Sequence, residues 1–186
     1  MERLNLKLIG FIVGAAALAL IVASYLIKND QRVVPKAGNM KITSSAFKDN
    51  EIIPKKYTCD GETVNPPLAF ENVPSNAKSL VLIMDDLDAP SGIWNHWLVW
   101  NIDSAAQAVV EKNVPTGAVE GQTSFGKPGY GGPCPPSGQH RYVFKLFALN
   151  NKLNLTSDAG RVEVEQAMTD HVIEKTELVG LYTRSK

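Results

Sequence analysis

This chain of 186 residues has no excess of either charge: 19 basic residues balance 19 acidic ones. With no net positive field to attract a phosphate backbone, nucleic acid is set aside as a partner. Cysteine is scarce as well. The two present, Cys59 and Cys134, do not form a C-x-x-C pair, which argues against a zinc site built on thiolates. The G-x-x-x-x-G-K-[ST] spacing of a nucleotide P-loop is missing, and no serine sits in the G-x-S-x-G elbow of an α/β-hydrolase. There is no internal repeat and no low-complexity tract, so repeat arrays drop out.

What is present begins with Leu8 to Ile27, LIGFIVGAAALALIVASYLI, a run of 20 residues without a charge, flanked by Arg3, Lys7 and Lys28. A bilayer core about 30 Å thick is spanned by about 20 apolar helical residues. A cleaved signal usually has a shorter apolar region, about 7–15 residues, ending at a small-x-small site. Val22-Ala-Ser24 is an imperfect example of such a site. Residues 1–28 are therefore read as a single transmembrane anchor contacting the membrane through residues 8–27, with secretion after signal cleavage as the alternative. Basic residues stand on both sides of the segment, so charge does not settle its orientation.

Residues 1–28 hold three of the basic residues (Arg3, Lys7, Lys28) and one acid (Glu2), leaving 16 basic and 18 acidic, near −2. A negative ligand of such a domain has to be held by local geometry. Residues 29–39, NDQRVVPKAGN, read as a polar linker, and residues 40–186 as the folded domain.

Both cysteines sit in loop-like sequence. A bridge between them would close about 75 residues, worth roughly 4 kcal/mol in the chain-entropy model. Such a bond persists in an oxidising compartment, which agrees with a domain displayed outside the cytoplasm. Two free, partly buried thiols are the alternative.

From Met40 onward, short β-rich runs alternate with Pro, Gly and Asn, the pattern of an all-β sandwich. The clearest runs are Ser79–Met84, Trp97–Ile102 and Tyr142–Leu149. In the last, Tyr142, Phe144, Leu146 and Ala148 share one face, and Val143, Lys145, Phe147 and Leu149 share the other. Both faces are mostly apolar, which predicts a central strand. One C-terminal helix is expected, capped by Asp158 and carrying Val164, Ala167, Met168, His171 and Val172 on one side. A short strand over Leu178–Thr183 closes the chain.

Two stretches carry candidate chemistry. Asp86-Leu-Asp-Ala-Pro-Ser-Gly-Ile-Trp-Asn-His96 ends one apolar run in acids and reaches an imidazole just before the next. Gly126-Lys-Pro-Gly-Tyr-Gly-Gly-Pro-Cys-Pro-Pro-Ser-Gly-Gln-His-Arg-Tyr142 is glycine-rich, so its backbone can approach a ligand and its successive N–H groups can form an anion-binding concavity.

Asp86-x-Asp-Ala-Pro90, His96 before an apolar strand and Gly-Pro-x-x-x-x-Gly-x-His-Arg-Tyr142 together resemble the phosphatidylethanolamine-binding protein (PEBP) family, also called Raf kinase inhibitor proteins. Tyr57-Thr-Cys-Asp-Gly61, Pro66-Pro67, Phe125-Gly-Lys, Gly-Gly-Pro-Cys-Pro-Pro136 and Glu177-Leu-Val-Gly-Leu-Tyr-Thr-Arg184 are similar to its bacterial and archaeal branch. The motifs run in order from about residue 40 to 184. One departure is Leu87, where the family has proline; it is expected to loosen the turn.

The resemblance implies a β-sandwich with a small anion-binding pocket and no cofactor or metal. By position, Asp86, Asp88, His96, His140 and Tyr142 would line it. Pro90 and Trp94 would add apolar wall, and the backbone of Gly131, Gly132 and Pro133 would supply donors. The peptide before Pro90 would be cis. The implied role is non-catalytic binding of a phosphate-like anion, on a phospholipid headgroup or a phosphorylated residue, with an inhibitor-type regulatory role and an unidentified protein partner.

The chemistry of the residues fits this reading. Two carboxylates alone would repel a phosphate, so Asp86 and Asp88 are expected to brace His96 or His140, raise their pKa and leave the outward ring nitrogen to meet the anion. A metal triad of the same residues, and a hydrolase activating Ser91 or Ser137 through an Asp–His pair, are the competing readings.

Overall fold

The computed structural model describes residues 38–184; the expected anchor over 8–27 and most of the linker lie outside them. Among the described residues no helix is long and apolar enough to cross a membrane.

Among the described residues nine strands and one α-helix follow in order: β1 (Lys41–Thr43), β2 (Glu51–Ile52), β3 (Leu68–Glu71), β4 (Ser79–Asp86), β5 (Trp94–Ile102), β6 (Ala108–Val109), β7 (Val119–Glu120), β8 (Gln139–Leu149), α1 (Arg161–Met168) and β9 (Val172–Thr183). Six strands form one sheet in the order β2-β9-β8-β4-β5-β7, and β1-β3-β6 form a second. The fold is mostly β with one C-terminal helix.

β8 is interior, between β9 and β4, and its two faces feed two apolar clusters. Tyr142, Phe144, Leu146 and Ala148 join Leu80, Leu82, Met84, Trp97 and Val99 against Ile42, Leu68, Phe70 and Val109 of the small sheet. On the opposite face Val81, Ile83, Leu98, Trp100 and Leu149 pack under Val164 and Met168 of α1. β4 is buried at all eight positions because neighbours cover it on both edges and both faces. Each of its aliphatic side chains contributes about 1.5–3 kcal/mol by leaving water.

Several sequence expectations are corrected. α1 stops at Met168, short of His171 and Val172, and Gly160 rather than Asp158 is its N-cap. The Gly160 N–H donates to the Glu163 carboxylate at 3.1 Å, while the Asp158 carboxylate accepts from the Thr156 hydroxyl. Beyond the helix, Asp170 takes a positive φ of 65° and the His171 carbonyl accepts from the Asn150 N–H at 3.0 Å, turning the chain into β9. β9 starts at Val172 rather than near Leu178. Its inward positions include Glu174, Thr176 and Gly180, which masked the period of two.

No peptide among the described residues is cis, so the Ala89–Pro90 bond is trans. The Gly92 N–H donates to the Ala89 carbonyl at 3.0 Å, closing a turn with Pro90 second, a place that suits a trans proline. Leu87 does not loosen this region: its N–H donates to the Arg141 carbonyl at 3.1 Å, a rung proline could not supply.

Candidate ligand-binding site

The ends of β8, β4 and β5 lie side by side, with Asp86 opposite Tyr142 on one flank and Trp94 on the other. Alternation then puts His140, Tyr142, Asp86 and Trp94 on one face. His96 reaches the same face by an irregularity. Met84 pairs with Trp97 and Asp85 with Asn95, so His96 is the extra residue of a β-bulge, which re-aims its side chain.

At this corner lies a cavity of about 370 Å³, lined by Asp86, Ala89, Pro90, Ser91, Trp94, His96, Phe125, Cys134 and Pro136. The volume is in the range of small-molecule sites. Its walls are largely apolar. Phe125 stands edge-on to both Trp94 and His96, with ring centres 5.7 and 5.2 Å away.

Of the expected residues, Asp86, Pro90, Trp94 and His96 line the cavity directly. His140 and Tyr142 stand behind it. His140 Nδ1 is 2.7 Å from Asp86 Oδ2, and the Tyr142 ring packs edge-on to His96 at 5.2 Å. The Tyr142 hydroxyl is buried beside Asp86 and the Cys134 main chain, and makes no hydrogen bond of ordinary geometry among the described residues. Burial and the neighbouring carboxylate hold this phenol well above its usual range.

Asp86 spends both oxygens internally, accepting from His140 on Oδ2 and from the Asp88 N–H on Oδ1 at 2.8 Å. Asp88 braces neither histidine. It accepts from Arg141 Nε, Nη2 and backbone N–H at 2.7–2.9 Å, and this guanidinium lowers its carboxyl to about 2.

His96 Nδ1 lies 2.7 Å from the Gly131 carbonyl, so it carries the proton and Nε2 is left to meet a ligand. Burial pushes the imidazole below its ordinary range, opposed by the Gly131 carbonyl and by Asp86 and Asp85. Asp86 braces His140 and not His96, and at His96 the expected rise is corrected: Asp86 and Asp85 push it up, but desolvation outweighs them.

The glycine loop works differently from the expected donor cradle. The Gly131 N–H donates to the His96 carbonyl at 2.8 Å, and Pro133 has only a carbonyl, which accepts from the Cys59 N–H at 3.1 Å. Glycine at 131 leaves room for the Phe125 ring where it stands, because a Cβ there would lie 2.2 Å from it. At Gly132 a Cβ would lie 2.9 Å from the Thr58 main chain.

The Cys59–Cys134 disulfide is formed and ties this wall to the 58–61 loop. Sequence reasoning missed Ala89, Ser91, Phe125 and Pro136 as lining, Cys134 as cavity wall, and Asp85 and Asn95 behind the bulge. Phe125 left a signal as an aromatic beside a glycine, and Ala89, Cys134 and Pro136 stood within the family motifs without being marked as lining. Among the described residues no three His, Cys, Asp or Glu side chains gather as a metal-ligand set.

The family model described as phosphatidylethanolamine-binding protein matches residues 43–183. A UPF0098 protein of Methanothermobacter thermautotrophicus is 46% identical over 150 residues, covering 78% of this chain and 99% of its own. One from Pyrococcus horikoshii is 49% identical, covering 76% of this chain and 75% of its own. Among solved structures, a phosphatidylethanolamine-binding protein homolog from Chlamydia trachomatis superposes with a TM-score of 0.77 at 39% identity, over 80% of this chain and all of its own. E. coli YbcL, described as a member of the mammalian PEBP family, gives 0.75 at 30% identity, with the same coverage.

Proposed function

Because the chain belongs to the phosphatidylethanolamine-binding protein family, whose members carry a ligand-binding domain, we propose that its corner cavity binds the phosphate-like end of a small ligand without turning it over. The observation that carries this reading is His96 in the cavity wall, its Nδ1 committed to Gly131 O at 2.7 Å, which orients the ring and reserves Nε2, while His140 behind the cavity holds Asp86 at 2.7 Å. On protonation Nε2 of His96 becomes a donor facing the cavity, and Asp86, with both oxygens engaged, acts as a brace. The apolar walls of Pro90, Trp94, Phe125 and Pro136 suit the body that carries the anion, whether headgroup or phosphorylated side chain.

The alternative is a hydrolase using an Asp–His pair in the same pocket with Ser91, which lines the cavity, or Ser137 as nucleophile, and turnover distinguishes the two readings. The role is modulatory, as for an inhibitor that sequesters a phosphorylated partner. The domain works outside the cytoplasm, tethered through residues 8–27. Carbonate extraction of membranes and the intact mass of the native protein test the tether.

An NMR titration with inorganic phosphate and with phosphoethanolamine tests the site. Saturable shifts at Trp94, His96 and Phe125, lost in His96→Ala, are expected, with no turnover of an aryl phosphate ester. Absence of saturable binding, or turnover lost in His96→Ala, overturns the reading.

A further inference from the structure

The cavity owes its shape to groups on the other side of the sheet. Simple alternation from Trp100 and Leu98 would send His96 toward the α1 face, and only the bulge between β4 and β5 turns it to the cavity. Asn95 fills that bulge. Its Nδ2 donates to Met84 O at 3.1 Å, Trp97 O at 3.2 Å and Asp85 Oδ1 at 3.0 Å, reaching residues on both sides of the irregularity. The main chain of Asn95 is clamped as well. Its N–H donates to Ser124 Oγ at 2.9 Å and its carbonyl accepts from the Ser124 N–H at 3.1 Å, which places the next residue, Phe125, against His96.

Asp85 holds the other end. Its carboxylate is fully buried, with Oδ2 accepting from Lys145 Nζ at 2.8 Å and Arg161 Nε at 3.3 Å. Arg161 in turn pairs with Glu165 one helical turn on. A buried ion pair is a weak source of stability, often replaceable by apolar side chains at no loss. This one sits beside an aliphatic and aromatic cluster, and Asn95 Oδ1 is buried without a partner among the described residues, a further cost.

We propose that Asn95 and Asp85 are positioning residues that lock the β4–β5 bulge from the α1 face and thereby set the aim of His96 and the seat of Phe125. The consequence for affinity rests on the anion-binding reading given above; the consequence for His96 does not. Arg161 and Lys145 keep Asp85 in place, so the first turn of α1 is joined through Asp85 and Asn95 to the cavity across the sheet.

The test uses Asn95→Ala, which removes the lock while retaining the titratable neighbours of His96, namely Asp85, Asp86 and His140. The first readout is the imidazole ¹⁵N spectrum of the ligand-free protein, which reports the Nδ1–H tautomer held by Gly131. The second is the dissociation constant for inorganic phosphate. The variant is expected to lose the single tautomer and the Phe125 ring-current shift on His96, and to bind phosphate about tenfold more weakly, the worth of one charge-assisted hydrogen bond. Val164→Ala, in the same cluster, loses stability but leaves the His96 spectrum unchanged. A wild-type His96 spectrum in folded Asn95→Ala overturns the proposal. Should that variant not fold, Asp85→Ala carries the same tautomer readout, and a wild-type His96 spectrum there overturns the proposal equally. Failure of the wild type to bind phosphate would sink the proposed function and leave the spectral result to stand alone.

Discussion

His140 Nδ1 and Asp86 Oδ2 meet at 2.7 Å between β8 and β4, both side chains almost wholly buried. This contact joins two stretches 54 residues apart and closes the back of the cavity. Removing one partner leaves the other buried without a hydrogen bond, which costs more than the bond itself contributes. Asp86→Ala is therefore expected to lower unfolding free energy by about 1.5–3 kcal/mol in urea melts. Asp86→Asn, which keeps an acceptor, should lose less. Equal losses would show that the ionised carboxylate, and not an acceptor alone, makes the contact; no loss in either variant would deny it.

Sulfate keeps its charge between pH 8 and pH 4.5, so its binding isolates the protein's own titration. Burial holds His96 below the reference value near 6.5, which places the gain in affinity below that pH. Sulfate affinity should rise as pH falls from about 6.5, and His96→Gln should flatten the curve. A wild-type profile that stays flat to pH 4.5 excludes protonated His96 as a donor.

The same depressed imidazole makes the native state bind fewer protons than the unfolded chain. Its contribution to stability is complete above about 6.5 and is lost as pH falls through the lower folded value. Asp88, lowered to about 2 by Arg141, acts further down: its contribution is present above about 4 and disappears toward pH 2. In acid unfolding series, Asp88→Asn should lose the slope between pH 4 and 2 and keep the one below 6.5. His96→Gln should do the reverse.

Gly131→Ala places a methyl where the Phe125 ring lies. Phe125 is 43% exposed and can swing outward, so stability should fall by only about 1–3 kcal/mol while the wall of the cavity is lost. Adding Phe125→Ala should recover most of that stability without recovering phosphate binding. Additive losses in the double variant would deny the contact.

The Cys59–Cys134 bond closes a separation of 75 residues. The paired Cys59→Ser and Cys134→Ser variant should lose about 2–4 kcal/mol in thermal or urea unfolding. Because Cys134 lines the cavity, phosphate binding should weaken too, at a temperature where the fold persists. Unchanged binding would mean the 131–136 wall is held by its hydrogen bonds alone.

What the sequence determined by itself was whatever depends on near neighbours. The period of two in Tyr142–Leu149 marked a strand covered on both faces, and β8 is interior to the large sheet. Proline, glycine and asparagine marked the breaks between strands, and the ordered motifs marked the family. The end of α1 was less legible, because Val164, Met168 and Val172 keep helical spacing across a turn set by the positive φ of Asp170 and the bond to Asn150. Only tertiary structure decided how the site is assembled. Its aim depends on a bulge, a carboxylate shared with Lys145 and Arg161, and a glycine carbonyl that captures His96 Nδ1. Those bonds join residues from 10 to 76 positions apart, and a chain read one window at a time contains no term for which buried donor finds which buried acceptor.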